Sequence, residues 1–248
     1  MRLFLHELRT QQLLFWRNRE SAVFVFIFPP MLFLLLGAVY SGRIDGFRAS
    51  DVLLVGLLGY GCANTAFAGL AITVVIRRES GVLKRIRATP LPPRTYLLSV
   101  LCSTLIVFVL QMLVTVALGV VLYGAHGPEN VPGFVLSILL GIAAFAGLGF
   151  GAVALIRSSE GASAVVNLVL LPMAFLSGAF GPTRRYPELL QWIADVLPLT
   201  YFIRLLKFVY LRGDAFTAHP TEIAIVALWG IAGLVVAWRR FGWEPRER

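Results

Sequence analysis

Charge is scarce in this chain. Of 248 residues, 14% are Asp, Glu, Lys or Arg and 58% are hydrophobic, where a soluble domain carries about a quarter charged residues. With a mean hydropathy of +0.81, an ordinary soluble globule is excluded and a membrane class remains. The length suits one helical bundle, so residues 1–248 are expected to form a single transmembrane domain with no soluble domain beside it. Lysine is scarcer still: Lys84 and Lys207 are the only two, and neither follows a glycine. A GxxxxGK[ST] loop that cradles nucleotide phosphates is therefore absent. The chain is expected to be no ATPase by itself, to be no enzyme and to bind no cofactor. Cys62 and Cys102, the two cysteines, both fall inside apolar runs, where packing is expected rather than a disulfide or a metal site. No A-x-A-like cleavage site ends the first apolar run, so no cleavable signal is expected. Nor does an ionisable residue sit at the centre of any apolar run. Proton- and sodium-coupled carriers place such groups there, and their absence argues for energy supplied from outside the chain.

What the sequence does contain is a set of apolar runs at about residues 22–40, 52–76, 95–123, 131–156, 161–181 and 222–239. A helix of about 20 residues crosses a bilayer. The last run is short, but Trp229 and Trp238 suit an interface-anchored helix. The expected fold class is an all-α polytopic membrane protein with six transmembrane helices. Residues 3–19, LFLHELRTQQLLFWRNR, place Leu3, Leu5, Leu8, Leu13, Phe15 and Trp16 among polar residues and predict an amphipathic helix in the inner interface. Ala143, Gly147 and Gly151 recur every four residues and predict a close-packing seam. Residues 184–213 are apolar overall yet carry Asp195, Arg204 and Lys207, too much charge for a lipid-facing span. They predict helices near 187–196 and 200–211, split at Pro198, that enter the outer leaflet and turn back. Backbone of that kind is tolerated only under protein cover.

Residues 77–96, RRESGVLKRIRATPLPPRTY, hold six basic residues: Arg77, Arg78, Lys84, Arg85, Arg87 and Arg94. With the N-terminus in the cytoplasm, fifteen basic residues fall inside and seven outside. That bias predicts a multi-pass plasma (inner) membrane protein with both termini cytoplasmic. It also assigns the net charge of +9 to lipid head groups rather than nucleic acid. Within the block, about 78–90, Gly81 follows Glu79 and Ser80, and Val82, Leu83 and Ile86 give a short helix an apolar face for a groove on a cytosolic partner. Lys84, Arg85 and Arg87 flank that face and suit acidic groups on the partner. Pro90, Pro92 and Pro93 end the helix.

These residues carry a resemblance. ESGVLKRIRATPLPPRTYLLS, at 79–99, resembles the first cytoplasmic loop of ABC transporter permeases of the type-2 exporter class. LPMAFLSGAFGPTRRYPELLQWIADVLPLTYFIRLLKFVYLRG, at 171–213, resembles that class's C-terminal signature. Its elements are Ser177, Gly178, Phe180 and Pro182, then Pro187 and Leu190, then PLTY at 198–201 with Tyr201, and a following Arg204. Within the class the chain is most similar to daunorubicin and multidrug-resistance permeases.

The resemblance implies a half-transporter. Two permeases, identical or paralogous, would each bind a separate cytosolic ATP-binding subunit that holds ATP and Mg. The motion would pass through a coupling helix containing Glu79, Gly81, Leu83, Lys84, Arg85 and Arg87. The cargo would be a hydrophobic or amphipathic drug, antibiotic, lipid or glycolipid. In the class the second and fifth spans line a central cavity, which makes Asn64, Thr65, Phe67, Asn167, Phe175 and Ser177 the candidates for the substrate path. Gly178, Phe180, Pro182, Pro198, Tyr201 and Arg204 belong to the re-entrant signature, expected to cap the cavity exit. The competing functions are a secondary transporter or channel uncoupled from any ATPase, and a membrane scaffold. Buried charges or an inverted repeat would mark the former, and the sequence shows neither.

Overall fold

In the computed structural model, residues 2–156, 158–183, 186–240 and 242 are described. The chain opens with α1 (Arg2–Arg17) and α2 (Arg19–Val39), then a small antiparallel hairpin of β1 (Arg43–Ile44) and β2 (Phe47–Arg48). One long second span follows, made of α3 (Ala49–Ala63), a π-helical turn (Asn64–Gly69) and α4 (Leu70–Glu79). After it come α5 (Val82–Arg87), α6 (Pro93–Tyr123), α7 (Val131–Leu155), α8 (Ser159–Leu176), α9 (Glu188–Ala194), α10 (Pro198–Leu211) and α11 (Pro220–Arg240). Six of these helical segments are long and apolar enough to cross a bilayer. The protein is an all-α polytopic membrane protein. Six crossings alternate the chain between two ends. One end carries α1, α5, the α7–α8 junction and the last turn of α11. The other carries the hairpin, the α6–α7 loop and the α9–α10 pair.

The second span lies at the centre. Of its most apolar window, 94% is buried, against 28% for α2, α6 and α8 and 22% for α11. The cost of a bilayer without water makes such helices close their own backbone hydrogen bonds, and small residues let them pack tightly. The predicted seam on α7 is real, with one residue corrected. Ala144, not the exposed Ala143, joins Gly147 and Gly151 against Gly230 and Gly233 of α11. A Cβ on Gly147 would lie 2.5 Å from Gly230 O, and one on Gly151 2.8 Å from Gly233 O. The 3.6-residue period selects i, i+3, i+7 here rather than a strict four-residue spacing.

Several predicted boundaries shift. Residues 78 and 79 belong to the second span, so the short helix expected over 78–90 is only α5, Val82–Arg87. The fifth span was expected to reach 181 but stops at Leu176. Ser177 caps it, and Gly178 turns the chain at φ +75°. The predicted break at Pro198 is present: α9 and α10 meet at 81°. Yet α10 is no shallow surface helix. Leu199, Phe202, Ile203, Leu205, Leu206 and Val209 are buried, and α10 packs against α3, α7 and α11. Gly141 and Gly59 make room for Phe202 and Ile203. Of its two cations Arg204 stays outside, where it pairs with Asp195 at 2.5 Å and lies over the Tyr201 ring, while Lys207 is half-buried.

Candidate functional site

At the α5 end, the basic block divides. Arg77 turns inward, and its Nη1 donates to Gln11 Oε1 of α1 at 2.5 Å and to Tyr96 Oη of α6 at 3.2 Å. Arg78 is buried to 1% exposure and donates to Val153 O and Ile156 O. Glu79 accepts from the Ser159 N–H at the start of α8. Lys84, Arg85, Arg87 and Arg94 are exposed. Leu83 is buried at 0% exposure in the chain's own core, and Gly81 holds φ +72° at the N-cap of α5. The apolar face expected to meet a partner through Leu83 is therefore occupied internally. What α5 presents is three cations. Nothing in composition separated the two inward arginines from the outward ones. Their position on the last turn of a helix that outlasts its apolar run was the missing signal.

Above this end lies a cavity of about 500 Å³, walled by α1, α2, the π turn and α4, α6 and α8. Asn64, Thr65 and Asn167 all line it, so half of the expected substrate-path set converges there. The other half does not. Phe67 is buried and does not line the cavity. Phe175 is exposed and stacks edge-on with Phe180 at 4.7 Å, near the opposite end. Ser177 is buried in the turn after α8, where its Oγ accepts from Thr200 Oγ1 at 2.9 Å. Gln11, Ser103 and Arg77 line the cavity too, and the sequence did not point to them. Gln12 Nε2 of α1 reaches Ser103 Oγ at 2.8 Å, which fixes α1 across this mouth.

The cavity chemistry is largely neutral. Leu14, Phe15, Phe24, Val25, Val100 and Val107 give it apolar walls, and Glu20 and Arg77 are its charged residues. Thr65 Oγ1 is buried with no hydrogen-bond partner among the described residues, a state that costs about 1–3 kcal/mol. It lies in the π turn, a device that inserts one residue per turn and recurs at functional sites. Asn167 Nδ2 donates to Ser163 O at 2.9 Å, a bond within α8. Among the described residues no group of three or more His, Cys, Asp and Glu suits a metal ion.

The re-entrant signature forms a separate place. Phe180 packs on Tyr60 at 5.1 Å, Pro182 is exposed, Pro198 opens α10, and Tyr201 donates to Asp195 O at 2.8 Å. None of these residues lines the large cavity.

The family model described as ABC-2 type transporter matches residues 2–211. The chain belongs to the ABC-2 type transporter family. The chain is similar to the "Inner membrane transport permease YhhJ" of Escherichia coli (strain K12), 28% identical over 68% of the chain and 45% of that relative. It is also similar to the "Putative transport permease YvfS" of Bacillus subtilis (strain 168), 26% identical over 75% and 76%, and to the "Putative transport permease ycf38" of Cyanophora paradoxa, 30% identical over 78% and 69%. The chain spans less than half the length of the first of these. It is a multi-pass membrane protein of a family that normally works with a separate ATP-binding subunit.

Proposed function

We propose that this permease is the membrane half of an ATP-driven exporter and that its 500 Å³ cavity admits a neutral amphipathic molecule from the cytoplasmic side. The carrying observation is Thr65, whose Oγ1 has no hydrogen-bond partner among the described residues, beside Asn64 and Asn167 in a cavity with mostly apolar walls. Binding sites for small molecules are mostly apolar with a few convergent polar groups. A ligand hydroxyl or amide would satisfy Thr65, while the Phe15 and Phe24 walls take the apolar body. A drug, antibiotic, lipid or glycolipid has that form.

Both termini and α5 are assigned to the cytoplasm, where Lys84, Arg85 and Arg87 meet an acidic surface of the ATP-binding subunit. Two permease copies, or a copy and a paralogue, pair with two such subunits. The exposed length of α8 supports that pairing: Val165, Leu168 and Val169 face outward in the single chain, next to cavity-lining Asn167. The α9–α10 pair would then close the outer exit.

The test is transport in vesicles of the permease with its ATP-binding subunit, assayed against a panel of neutral amphipaths. ATP-dependent movement that drops when Thr65 is changed to Val, with ATPase docking unchanged, supports the reading. Uptake driven by a proton or sodium gradient without ATP overturns it.

A further inference from the structure

The α7–α8 junction is held by two consecutive residues at the end of the second span. Arg78 Nη1 donates to Val153 O at 2.7 Å and Nη2 to Ile156 O at 2.6 Å. These are carbonyls of the last turn of α7 and its C-cap residue, which have no partner within the helix. Glu79 accepts from the backbone N–H of Ser159, the first residue of α8. A cation thus meets a helix C-terminus and an anion meets a helix N-terminus, and each charge opposes the dipole it faces. The arginine fork reads two carbonyls at once, a geometry that lysine does not supply.

The neighbouring turn is stiff. Gly81 N–H donates to Arg78 O at 3.1 Å, Ser80 N–H to Ile76 O at 2.9 Å, and Arg85 N–H to Gly81 O at 3.1 Å. Ser80 Oγ donates to Arg77 O, and Arg85 Nη2 to Ser80 O. The turn is therefore tied to α4 on one side and α5 on the other. In addition, α5 packs on α4 and has only stray contacts with any other element, whereas α4 packs on both α7 and α8. Any displacement of α5 reaches α7 and α8 through α4, at the point where Arg78 and Glu79 grip them.

We propose that Arg78 and Glu79 are a positioning joint that makes α5, the end of the second span and the α7–α8 junction move as one body. A push on α5 then becomes a displacement of α8, the helix that carries Ser163 and Asn167 into the cavity. This rests on the reading of α5 as the docking helix of the ATP-binding subunit. Neither residue lines the cavity, so their effect is on coupling.

The experiment uses the complex of permease and ATP-binding subunit in nanodiscs. Cys62 and Cys102 are replaced, and Ser163→Cys reports on the cavity through its reaction rate with a water-soluble maleimide. Nucleotide-free and ATP-plus-vanadate states are compared, alongside subunit capture and ATP hydrolysis. With the joint intact, the rate is expected to change about fivefold or more between states, the scale of an ordinary coupling free energy. With Arg78→Met, capture and hydrolysis persist and the nucleotide response collapses. Arg78→Lys gives an intermediate response, since it restores the charge and not the fork. An Arg78→Met response equal to that of the intact joint overturns the proposal. No nucleotide response with the joint intact sinks the exporter reading and this one together.

Should Arg78→Met fail to assemble, Glu79→Cys/Ser159→Cys decides. Unbridged, it loses the nucleotide response. With Ser163 kept native and amide hydrogen exchange along α8 as the readout in place of thiol labelling, the form bridged by a short bismaleimide regains the response, because the two sites travel together. A bridge that blocks the response shows that the junction must open, and the joint is then refuted.

Discussion

Gly233 of α11 sits against Gly147 of α7 so closely that a Cβ on it would lie 2.5 Å from the Gly147 carbonyl oxygen. α7 cannot retreat, because it is held on its other side by the second span and α10. Between membrane helices the drive to associate is packing itself, so bulk at this seam acts directly on assembly. Gly147→Val is expected to destabilise the bundle by about 1–3 kcal/mol, the scale of overpacking, and to lower the thermal transition in detergent. Ala143→Val, on the exposed side of the same helix, should leave it unchanged.

The tie between Arg77 and α1 yields a second prediction. Arg77 donates to Gln11 Oε1 at 2.5 Å, and a hydrogen bond to a charged group contributes about 1.5–3 kcal/mol. Arg77→Met is expected to loosen α1, read as faster amide hydrogen exchange across Arg2–Arg17 with α7 and α11 unaltered. Unchanged exchange in α1 would show that the Gln12–Ser103 bond and packing on α6 hold it without Arg77.

On α5, Leu83 and its cationic neighbours should separate cleanly. Leu83 is fully buried, so Leu83→Asp should cost folding and yield rather than docking. Lys84, Arg85 and Arg87 are exposed. Reversing all three to Glu should raise the Kd for the ATP-binding subunit roughly tenfold or more, since exposed pairs contribute about 0.2–1 kcal/mol each and reversal adds repulsion. Titration by surface plasmon resonance or fluorescence reads the shift, and an unchanged Kd removes α5 from the interface.

Thr200 and Ser177 join α10 to the end of α8 through one buried hydrogen bond of 2.9 Å. Thr200→Val leaves the Ser177 hydroxyl unsatisfied, at about 1–3 kcal/mol. Faster exchange in α9 and the 177–183 turn is expected, with α1 and α5 unaffected.

The spans were legible because lipid demands uninterrupted apolar length, which is a one-dimensional signal. The runs expected at 95–123 and 131–156 end within two residues of α6 and α7. The break at Pro198 was legible for the same reason, since a proline and three charges cannot hide in a lipid-facing helix. What failed was phase and partnership. Ser177 was grouped with Asn167 because both lie in one apolar run, but the helix ends at Leu176 and the two residues reach different ends of the molecule. Phe67 is grouped with Asn64 because both lie mid-span, and position along an apolar run does not say which face a side chain takes in the π turn that holds them. Arg78 read as one more topology-setting cation. Its real partners are carbonyls 75 and 78 residues away, and no local pattern encodes such a contact.

The central claim is that the end bearing α5 receives the ATP-binding subunit. A photoreactive amino acid placed at Arg85, with Thr217 at the opposite end as its control, tests it in intact cells. Irradiation should join Arg85 to a protein that mass spectrometry identifies as an ABC ATP-binding subunit and that is retained on immobilised ATP. Thr217 should give no such adduct. An ATP-binding subunit captured from Thr217, or none from Arg85 while the complex still purifies intact, would contradict the account.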